Sequence, residues 1–125
     1  MASIVHIDTK SDRRGALTVV DPPLPFSVDR IYFVHSVPHG AVRGGHSHKS
    51  NRQALICVSG SCEVQVRKGV RTTTYRLDSR ELCLLLDPGD WHEMTAFTPD
   101  AVLMVMASEP YDPEDYVRES KYDRV

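Results

Sequence analysis

The stretch that decides the fold is residues 53–77, QALICVSGSCEVQVRKGVRTTTYRL. It begins with a nearly continuous apolar run, Gln53–Val58, which ends at a Ser-Gly turn. Ser61–Arg67 then alternates apolar and polar side chains, the pattern of a strand with one buried face. Lys68-Gly69 makes a tight turn into Val70–Leu77. The stretch therefore predicts consecutive β-strands that include an antiparallel hairpin.

Strand-like segments continue on both sides of this stretch. Arg30–Val37, Glu81–Leu86 and Ala101–Ala107 are short, rich in β-branched or other apolar residues, and bounded by turn residues. The single helical signal is residues 112–115, DPED, because Asp can cap a helix and Pro suits its first position. We therefore predict an all-β sandwich or barrel with a short C-terminal helical turn.

Composition narrows the class of protein. The 125 residues fit one domain, residues 1–125. A net charge of −2 gives no electrostatic case for nucleic-acid binding, and no apolar run is long enough to span a bilayer. The N-terminus lacks the basic and apolar regions of a secretory signal. Cys57, Cys62 and Cys83 lie in apolar strand-like stretches, which predicts buried, reduced thiols and a cytoplasmic location.

The segment Arg43–His48, RGGHSH, carries the chemistry. Side chains at i and i+2 of a strand point to the same face, about 6.5–7 Å apart along it. The imidazoles of His46 and His48 therefore project together if the segment is extended. Imidazole has an unperturbed pKa near neutrality, so the pair suits proton transfer or metal ligation. The two glycines before the pair allow a tight turn or a close approach to a ligand.

Two motifs in the chain resemble those of the cupins. His46-x-His48, Gln53 and Gly60 have the spacing of the first cupin motif, HxH-x(4)-E-x(6)-G. Residues 88–92, PGDWH, resemble the second motif, P-x-G-x(2)-H, with one residue fewer between Pro and Gly. The resemblance implies a small cupin, or jelly-roll, β-barrel in a single domain.

The same motifs bear on metal binding. A metal-binding cupin supplies two histidines and a glutamate from the first motif and a histidine from the second. Here Gln53 stands where the carboxylate is expected. A neutral amide is a poorer ligand for a divalent ion, so we expect no metal, although three histidines alone can hold zinc.

A closer resemblance, to the nucleotide-sugar 3,4-ketoisomerases, covers nearly the whole chain. This cupin family includes the dTDP-4-keto-6-deoxyglucose isomerases. The matching fragments in chain order are Arg14-Gly15-x-Leu17, Arg30-x-Tyr32, Arg43-Gly44-x-His46-x-His48-Lys49, Gln53, Trp91-His92-Glu93-Met94 and Ala107-Ser108-x-x-Tyr111-Asp112-x-x-Asp115-Tyr116. Each fragment is a weak signal alone, but their order and the chain length together are specific.

This resemblance implies an isomerase of deoxysugar biosynthesis that needs neither cofactor nor metal. A dTDP-linked 4-keto-6-deoxyhexose is converted to its 3-keto isomer through an enediol. We assign His48 as the base at C3 and His46 as its shuttle partner, two roles that the sequence alone does not tell apart. Arg43 and Tyr32 are the expected donors to the enediolate oxygen.

The expected partner is a nucleotide sugar. The residues predicted to contact it are Arg14, Lys49, Arg52, Gln53, Trp91 and His92. The three cations suit the diphosphate, and the aromatic rings suit the mouth of the pocket. A homodimer is also expected, because a small barrel has edge strands to protect, and an exchanged N-terminal strand is one form of such a dimer.

Two other functions remain open at the level of sequence. The chain could be a non-catalytic sugar-nucleotide-binding cupin, in which the pocket binds and nothing turns over. It could also be a metal-dependent cupin enzyme, against which Gln53 argues. A nucleotide-sugar 3,5-epimerase shares the barrel and the substrate class, but that family resembles a longer chain with a different His–Asp arrangement.

Overall fold

The computed structural model describes residues 1–118. These residues form twelve β-strands and one 3₁₀ turn. The strands are β1 Ser3–His6, β2 Thr9–Asp12, β3 Gly15–Thr18, β4 Arg30–His35, β5 Arg43–His48, β6 Gln53–Ser59, β7 Cys62–Lys68, β8 Arg71–Leu77, β9 Leu82–Leu86, β10 Trp91–Thr95, β11 Val102–Ala107 and β12 Tyr116–Val117. The 3₁₀ turn, Pro113–Asp115, lies between β11 and β12. The predicted all-β class is confirmed.

The predicted strands all appear, with ends that differ by one or two residues. In β7 the alternation places Cys62, Val64 and Val66 on the buried face, with exposures of 0%, 0% and 5%. The predicted turn at Lys68-Gly69 joins β7 to β8, and Gly69 has φ of +61°, which glycine adopts without strain.

Ten of the described strands form two open antiparallel sheets. The first sheet has the order β1-β9-β6-β11-β4 and the second β12-β5-β10-β7-β8. Leu55 and Leu103 of the first sheet and Val64 and Met94 of the second belong to one buried cluster, so the sheets pack face to face. This is the layered architecture of a jelly roll, but the sheets are not closed into a continuous barrel.

The segment before β4 covers the outer face of the first sheet. Ile56 and Met106 point away from the second sheet and pack against Leu24 and Phe26 of the segment before β4. The remaining strands, β2 and β3, form a separate hairpin. A cleft of about 1050 Å³ lies between this hairpin and the β6–β7 turn, so the hairpin stands off from the sheets.

The predicted helical turn and the predicted thiols are also found. The carboxylate of Asp112 accepts a hydrogen bond from the Glu114 N–H at 3.0 Å, as a helix cap does, although the turn is 3₁₀ and only one turn long. All three cysteines are buried and unbridged. Residues 1–118 contain no helix with the length and apolarity to cross a membrane.

Candidate active site

A bulge in β5 sets the direction of the histidines. Along the pair of β5 and β10, His92 faces His46 and Glu93 faces Gly44, so Gly45 is the extra residue. Gly44 and Gly45 have φ of +86° and +85°, values that strain any other residue. A Cβ on Gly44 would also lie 3.0 Å from the carbonyl oxygen of His92. Gly44 therefore lets β5 approach β10 closely, where the sequence predicted a tight turn or a close approach to a ligand.

Beyond the bulge, three imidazoles meet. The ring centroid of His46 lies 5.0 Å from that of His48 and 4.9 Å from that of His92, while those of His48 and His92 are 6.0 Å apart. The predicted pairing of His46 with His48 on one strand face is thus observed, and β10 adds His92 to it. The ring of Tyr116 on β12 packs 4.7 Å from His46 and 4.6 Å from His48.

Burial keeps these imidazoles neutral. It lowers the pKa of His46 to about 3, with the neighbouring His92 and His48 acting in the same direction. It also lowers the pKa of His92 to about 4, against the opposing hydrogen bond to the Asp90 carbonyl. Burial lowers the pKa of His48 as well, but there the hydrogen bond and charge of Asp115 oppose it. Neutral rings can accept a proton.

Asp115 is a site residue that the sequence reasoning missed. Its Oδ2 lies 3.0 Å from Nδ1 of His48, although the two residues are 67 positions apart. The sequence marked Asp115 only as an acidic residue of a helical turn. No local spacing connects it to His48, so the only signal was its place among the fragments shared with the ketoisomerases.

Tyr32 and Gln53 form a hydrogen-bonded pair on the first sheet. Nε2 of Gln53 donates to the phenol oxygen of Tyr32 at 3.2 Å. Because that oxygen already accepts this bond, its own O–H is available to donate elsewhere. Burial raises the pKa of Tyr32, more than the bond from Gln53 lowers it, so the phenol stays protonated.

A cleft of about 520 Å³ opens beside these groups. Tyr32, Arg43 and His46 line it, as the sequence predicts for a site that they share. Among the described residues, His48 is not one that lines the cleft, and it is 4% exposed. The cleft is also lined by Arg30 and Arg118, which were not predicted as site residues. The guanidinium carbon of Arg30 lies 4.5 Å from the ring centre of Tyr32. The fragment Arg30-x-Tyr32, shared with the ketoisomerases, was therefore the sequence signal that could have identified Arg30 as a site residue.

Some predicted substrate contacts lie elsewhere in the single chain. Arg14 is exposed on the turn of the β2–β3 hairpin and is paired with Asp12 at 2.6 Å. The guanidinium of Arg52 lies over the ring of Phe26, on the outer side of the first sheet.

Two more predicted contacts lie next to the histidines in sequence. The Trp91 ring lies on the face of β10 opposite His92, because adjacent residues of a strand alternate, and it packs against Arg67. Lys49 follows His48 with an exposed side chain, while its backbone N–H donates to the carbonyl of Asp115.

The described residues supply only the histidine part of a cupin metal site. The ring nitrogens of His46, His48 and His92 lie within 4.8 Å of one another. The position that completes the cupin ligand set is Gln53, and its amide is already bonded to Tyr32. It offers no negative charge to offset a divalent ion. No metal is therefore assigned a role.

The family follows from a match along almost the whole chain. The family model described as FdtA, WxcM-like, C-terminal, matches residues 1–124. The chain belongs to the FdtA family. The match includes every strand described above, together with the histidine pair and the bulge that directs it.

Relatives of this FdtA-family chain are sugar isomerases. It is 39% identical over 118 residues to the TDP-4-oxo-6-deoxy-alpha-D-glucose-3,4-oxoisomerase of Aneurinibacillus thermoaerophilus, covering 93% of this chain and 85% of that protein. A 3,4-ketoisomerase from Helicobacter canadensis has a TM-score of 0.91 and 32% identity, covering 98% of this chain and 95% of its own. The 3,4-ketoisomerase QdtA from Thermoanaerobacterium thermosaccharolyticum has a TM-score of 0.91 and 32% identity, covering 97% of this chain and 89% of its own. That structure is a histidine-to-asparagine mutant in complex with TDP-4-keto-6-deoxyglucose.

Proposed function

We propose that this protein converts TDP-4-keto-6-deoxyglucose, or a close TDP-linked 4-keto-6-deoxyhexose, to its 3-keto isomer. The observation that carries the proposal is the cluster of neutral imidazoles behind an arginine-lined cleft, on a fold and sequence that match 3,4-ketoisomerases. A 3,4-shift of a carbonyl needs only proton transfers, and neutral imidazoles perform these.

The reaction proceeds through an enediol. His46, the imidazole that lines the cleft, removes the proton from C3, the C3–H electron pair forms a C3=C4 double bond, and the C4 carbonyl becomes an oxyanion. The C4 oxyanion is then protonated to a hydroxyl, the O3 hydroxyl loses its proton, and C4 gains a proton, which leaves the carbonyl at C3. The protons gained and lost are equal in number, so no oxidant or reductant is required.

His46 is placed as the base. It lines the cleft, whereas His48 does not and is 4% exposed. The ring of His48 lies 5.0 Å from that of His46 and is bonded to Asp115, so His48 is its shuttle partner. We therefore exchange the two roles assigned from the sequence.

The enediolate oxygen is stabilised by Tyr32 and Arg43. Tyr32 has a protonated phenol whose O–H is available to donate, and Arg43 brings a permanent positive charge to the same cleft. Arg30 and Arg118 also line this cleft, and guanidinium groups bind phosphates well. We place the diphosphate at these arginines.

Exposed apolar side chains support a proposal on the oligomeric state of the protein, and its cysteines support one on its location. We propose a homodimer, because β4 is an edge strand with the exposed side chains Ile31 and Phe33. A second copy could also bring Arg14 of the free-standing hairpin to the cleft. The three unbridged cysteines support a reducing, cytoplasmic setting. Neither a cofactor nor a metal is proposed.

The test measures whether deuterium enters the product when the reaction runs in deuterium oxide. Incubating TDP-4-keto-6-deoxyglucose with the enzyme should give a 3-keto product, identified by NMR, with deuterium at C4. The C4 hydrogen is absent from the ketone, so it must come from an acid, and an acid that exchanges with solvent delivers deuterium. Nucleotide binding without any 3-keto product would instead support a non-catalytic binding protein.

Histidine variants identify the catalyst. His46→Asn should lower the rate by about 100-fold or more and still bind TDP, since positioned acid–base catalysis is worth about 10² to 10⁴ in rate. His48→Asn should also be slowed. His39→Asn, which changes an exposed loop residue, is the matched control and should keep the wild-type rate. If both site variants isomerise the sugar at near wild-type rates, the assignment is wrong.

A further inference from the structure

Two of the three buried thiols lie in contact where β6 leads into β7. Cys57 on β6 and Cys62 on β7 are 1% and 0% exposed and belong to the same buried cluster. The S–H of Cys62 donates to the sulfur of Cys57. The S–H of Cys57 in turn donates to the carbonyl oxygen of Ser59 at 3.1 Å. Because β6 and β7 belong to different sheets, this contact crosses from one sheet to the other.

The turn between the two strands holds the thiols in this contact. Gly60 has φ of +64°, and a Cβ there would lie 2.8 Å from Cα of Ala101. The N–H of Ser61 donates to Oγ1 of Thr98 at 2.9 Å, and the Ser61 carbonyl accepts from the N–H of Thr98 at 3.0 Å. The turn is therefore fixed against the segment before β11, and its two ends cannot move apart without breaking these bonds.

Cys57 also borders open space. Together with Ser59 and Gly60 it lines the cleft of about 1050 Å³ beside the β2–β3 hairpin. Among the described residues that line this cleft, Cys57 is the single cysteine. A small oxidant such as hydrogen peroxide therefore reaches Cys57 first.

The bonds of the pair make Cys57 the more reactive thiol. The bond from Cys62 lowers the pKa of Cys57, and backbone bonds of Ser59 and Val102 act in the same direction, against burial. The same bond, together with burial, raises the pKa of Cys62. Burial raises the pKa of Cys83 to about 11. Since the thiolate is the form that attacks an oxidant, Cys57 is favoured over the other two cysteines.

We propose that Cys57 and Cys62 form a reversible oxidation site, where a peroxide converts the two thiols into one disulfide that links the sheets. The thiolate of Cys57 attacks one oxygen of hydrogen peroxide, the O–O bond breaks, and the leaving hydroxide takes the thiol proton to become water. The thiol of Cys62 then attacks the sulfenic sulfur, and the S–OH bond breaks to release a second water. Two thiols lose two electrons in total, and one peroxide gains them.

Cys62 protects Cys57 from further oxidation. A sulfenic acid with no neighbouring thiol is oxidised onward to a sulfinic acid, which thiol reductants do not reverse. A disulfide, in contrast, is returned to two thiols by a dithiol reductant. The pair lies at the opposite end of β6 from Gln53, so this inference is independent of the proposed function.

Peptide mapping of the wild-type protein is the first test. Residues 53–67 form one tryptic peptide that contains both cysteines of the pair, whereas Cys83 lies in another. The reduced protein is treated with hydrogen peroxide, denatured, alkylated with iodoacetamide and digested without a reductant. The 53–67 peptide should lose two hydrogens and both alkyl groups, and dithiothreitol added before alkylation should restore both groups. Cys83 should be oxidised at least about tenfold more slowly.

Cys62→Ala separates the roles of the two thiols. Without the second thiol, Cys57 should gain two oxygens as a sulfinic acid that dithiothreitol does not remove. Cys57→Ala should leave Cys62 alkylatable after the same treatment, because Cys62 is not among the described residues that line the cleft. Cys83→Ala is the matched control, since it changes a buried cysteine of the first sheet outside the pair, and it should form the disulfide at the wild-type rate.

Three results would overturn the proposal. The first is a wild-type 53–67 peptide that stays fully alkylated at every peroxide concentration that leaves the fold intact. The second is a disulfide from either cysteine to another chain, and the third is a sulfinic acid at Cys57 while Cys62 is still alkylatable. All three are read from wild type, so they decide the matter even where an alanine disturbs folding. A wild type that is inactive on keto sugars contradicts the proposed function and not this site.

Discussion

Three buried imidazoles give the site its chemistry at the scale of single residues. Water stabilises an imidazolium, and the space between the two sheets supplies little of it, so the neutral form is favoured. His92 shows this most strongly, since it is 2% exposed and its pKa falls to about 4. The same burial that prepares the rings for proton transfer makes the fold sensitive to acid.

The first prediction is an acid-dependent loss of stability. The pKa of His92 is below that of a histidine in the unfolded chain, about 6.5, so unfolding takes up a proton below that pH. His92 should therefore lower the free energy of unfolding by about 2 kcal/mol between pH 7.5 and pH 5, with the loss growing towards pH 4. Urea titrations of wild type and His92→Gln at both pH values measure the difference.

The control for this prediction is an exposed histidine. His39→Gln changes a loop imidazole that water reaches in the folded state, and it should follow the wild-type pH dependence. The interpretation fails if His92→Gln loses as much stability as wild type between the two pH values.

The second prediction concerns metal and rests on Gln53. Its amide, bonded to Tyr32, stands where a metal-binding cupin has a carboxylate. Isomerase activity should therefore survive exhaustive dialysis against EDTA, and elemental analysis should find no near-stoichiometric iron, manganese or zinc. Loss of activity that one particular metal restores would support a metal-dependent cupin instead.

At the scale of elements, the bulge between β5 and β10 directs the histidine pair. The extra residue turns the strand locally and lets β5 approach β10 closely, with His46 then facing His92. The close approach is at Gly44, where a Cβ would meet the carbonyl oxygen of His92 at 3.0 Å and Cα of Glu93 at 3.2 Å. At Gly45 a Cβ would meet nothing within 4 Å.

The third prediction separates backbone strain from lack of space. Gly44 and Gly45 have almost the same φ, +86° and +85°, so alanine at either position should cost about 1–2 kcal/mol in backbone strain. Gly44→Ala should cost roughly 1 kcal/mol more, because its Cβ also collides with β10. Denaturant unfolding of both variants tests this. Equal losses would mean that β10 moves aside without cost.

At the scale of the whole molecule, the exposed apolar side chains of β4 indicate a surface that another chain buries. β4 is an edge strand of the first sheet, and Ile31 and Phe33 on its outer face are 56% and 55% exposed. Edge strands with apolar side chains are sites of association unless something covers them. The hairpin of β2 and β3 adds Leu17, which is 62% exposed.

The fourth prediction is a dimer formed through this edge. Sedimentation at micromolar concentration should give a species of twice the 14.1 kDa chain mass. Phe33→Glu should shift it towards monomer, because a charge would be buried in the interface. Val70→Glu, at a fully exposed turn position, should leave the dimer intact. A wild-type monomer would refute the dimer, and a Phe33→Glu dimer of unchanged stability would place its interface elsewhere.

The sequence by itself determined the features that depend on local periodicity. Alternation and turn residues located β4, β6–β9 and β11, and the spacing of two residues put His46 and His48 on one face. These inferences succeed because a strand has a period of two, whatever the strand packs against. The motif fragments also determined the family, because they extend over the whole chain.

Only the tertiary structure decided how distant segments meet. It brought Asp115 to His48 across 67 positions, bonded Gln53 to Tyr32, and placed Arg30 at the cleft while Arg52 lies on the outer side of the first sheet. Such contacts depend on strand order, register and the bulge in β5, which no local pattern encodes. The different placement of the two histidines belongs here, because only the packed chain puts His46 in the cleft and bonds His48 to Asp115 of the 3₁₀ turn before β12.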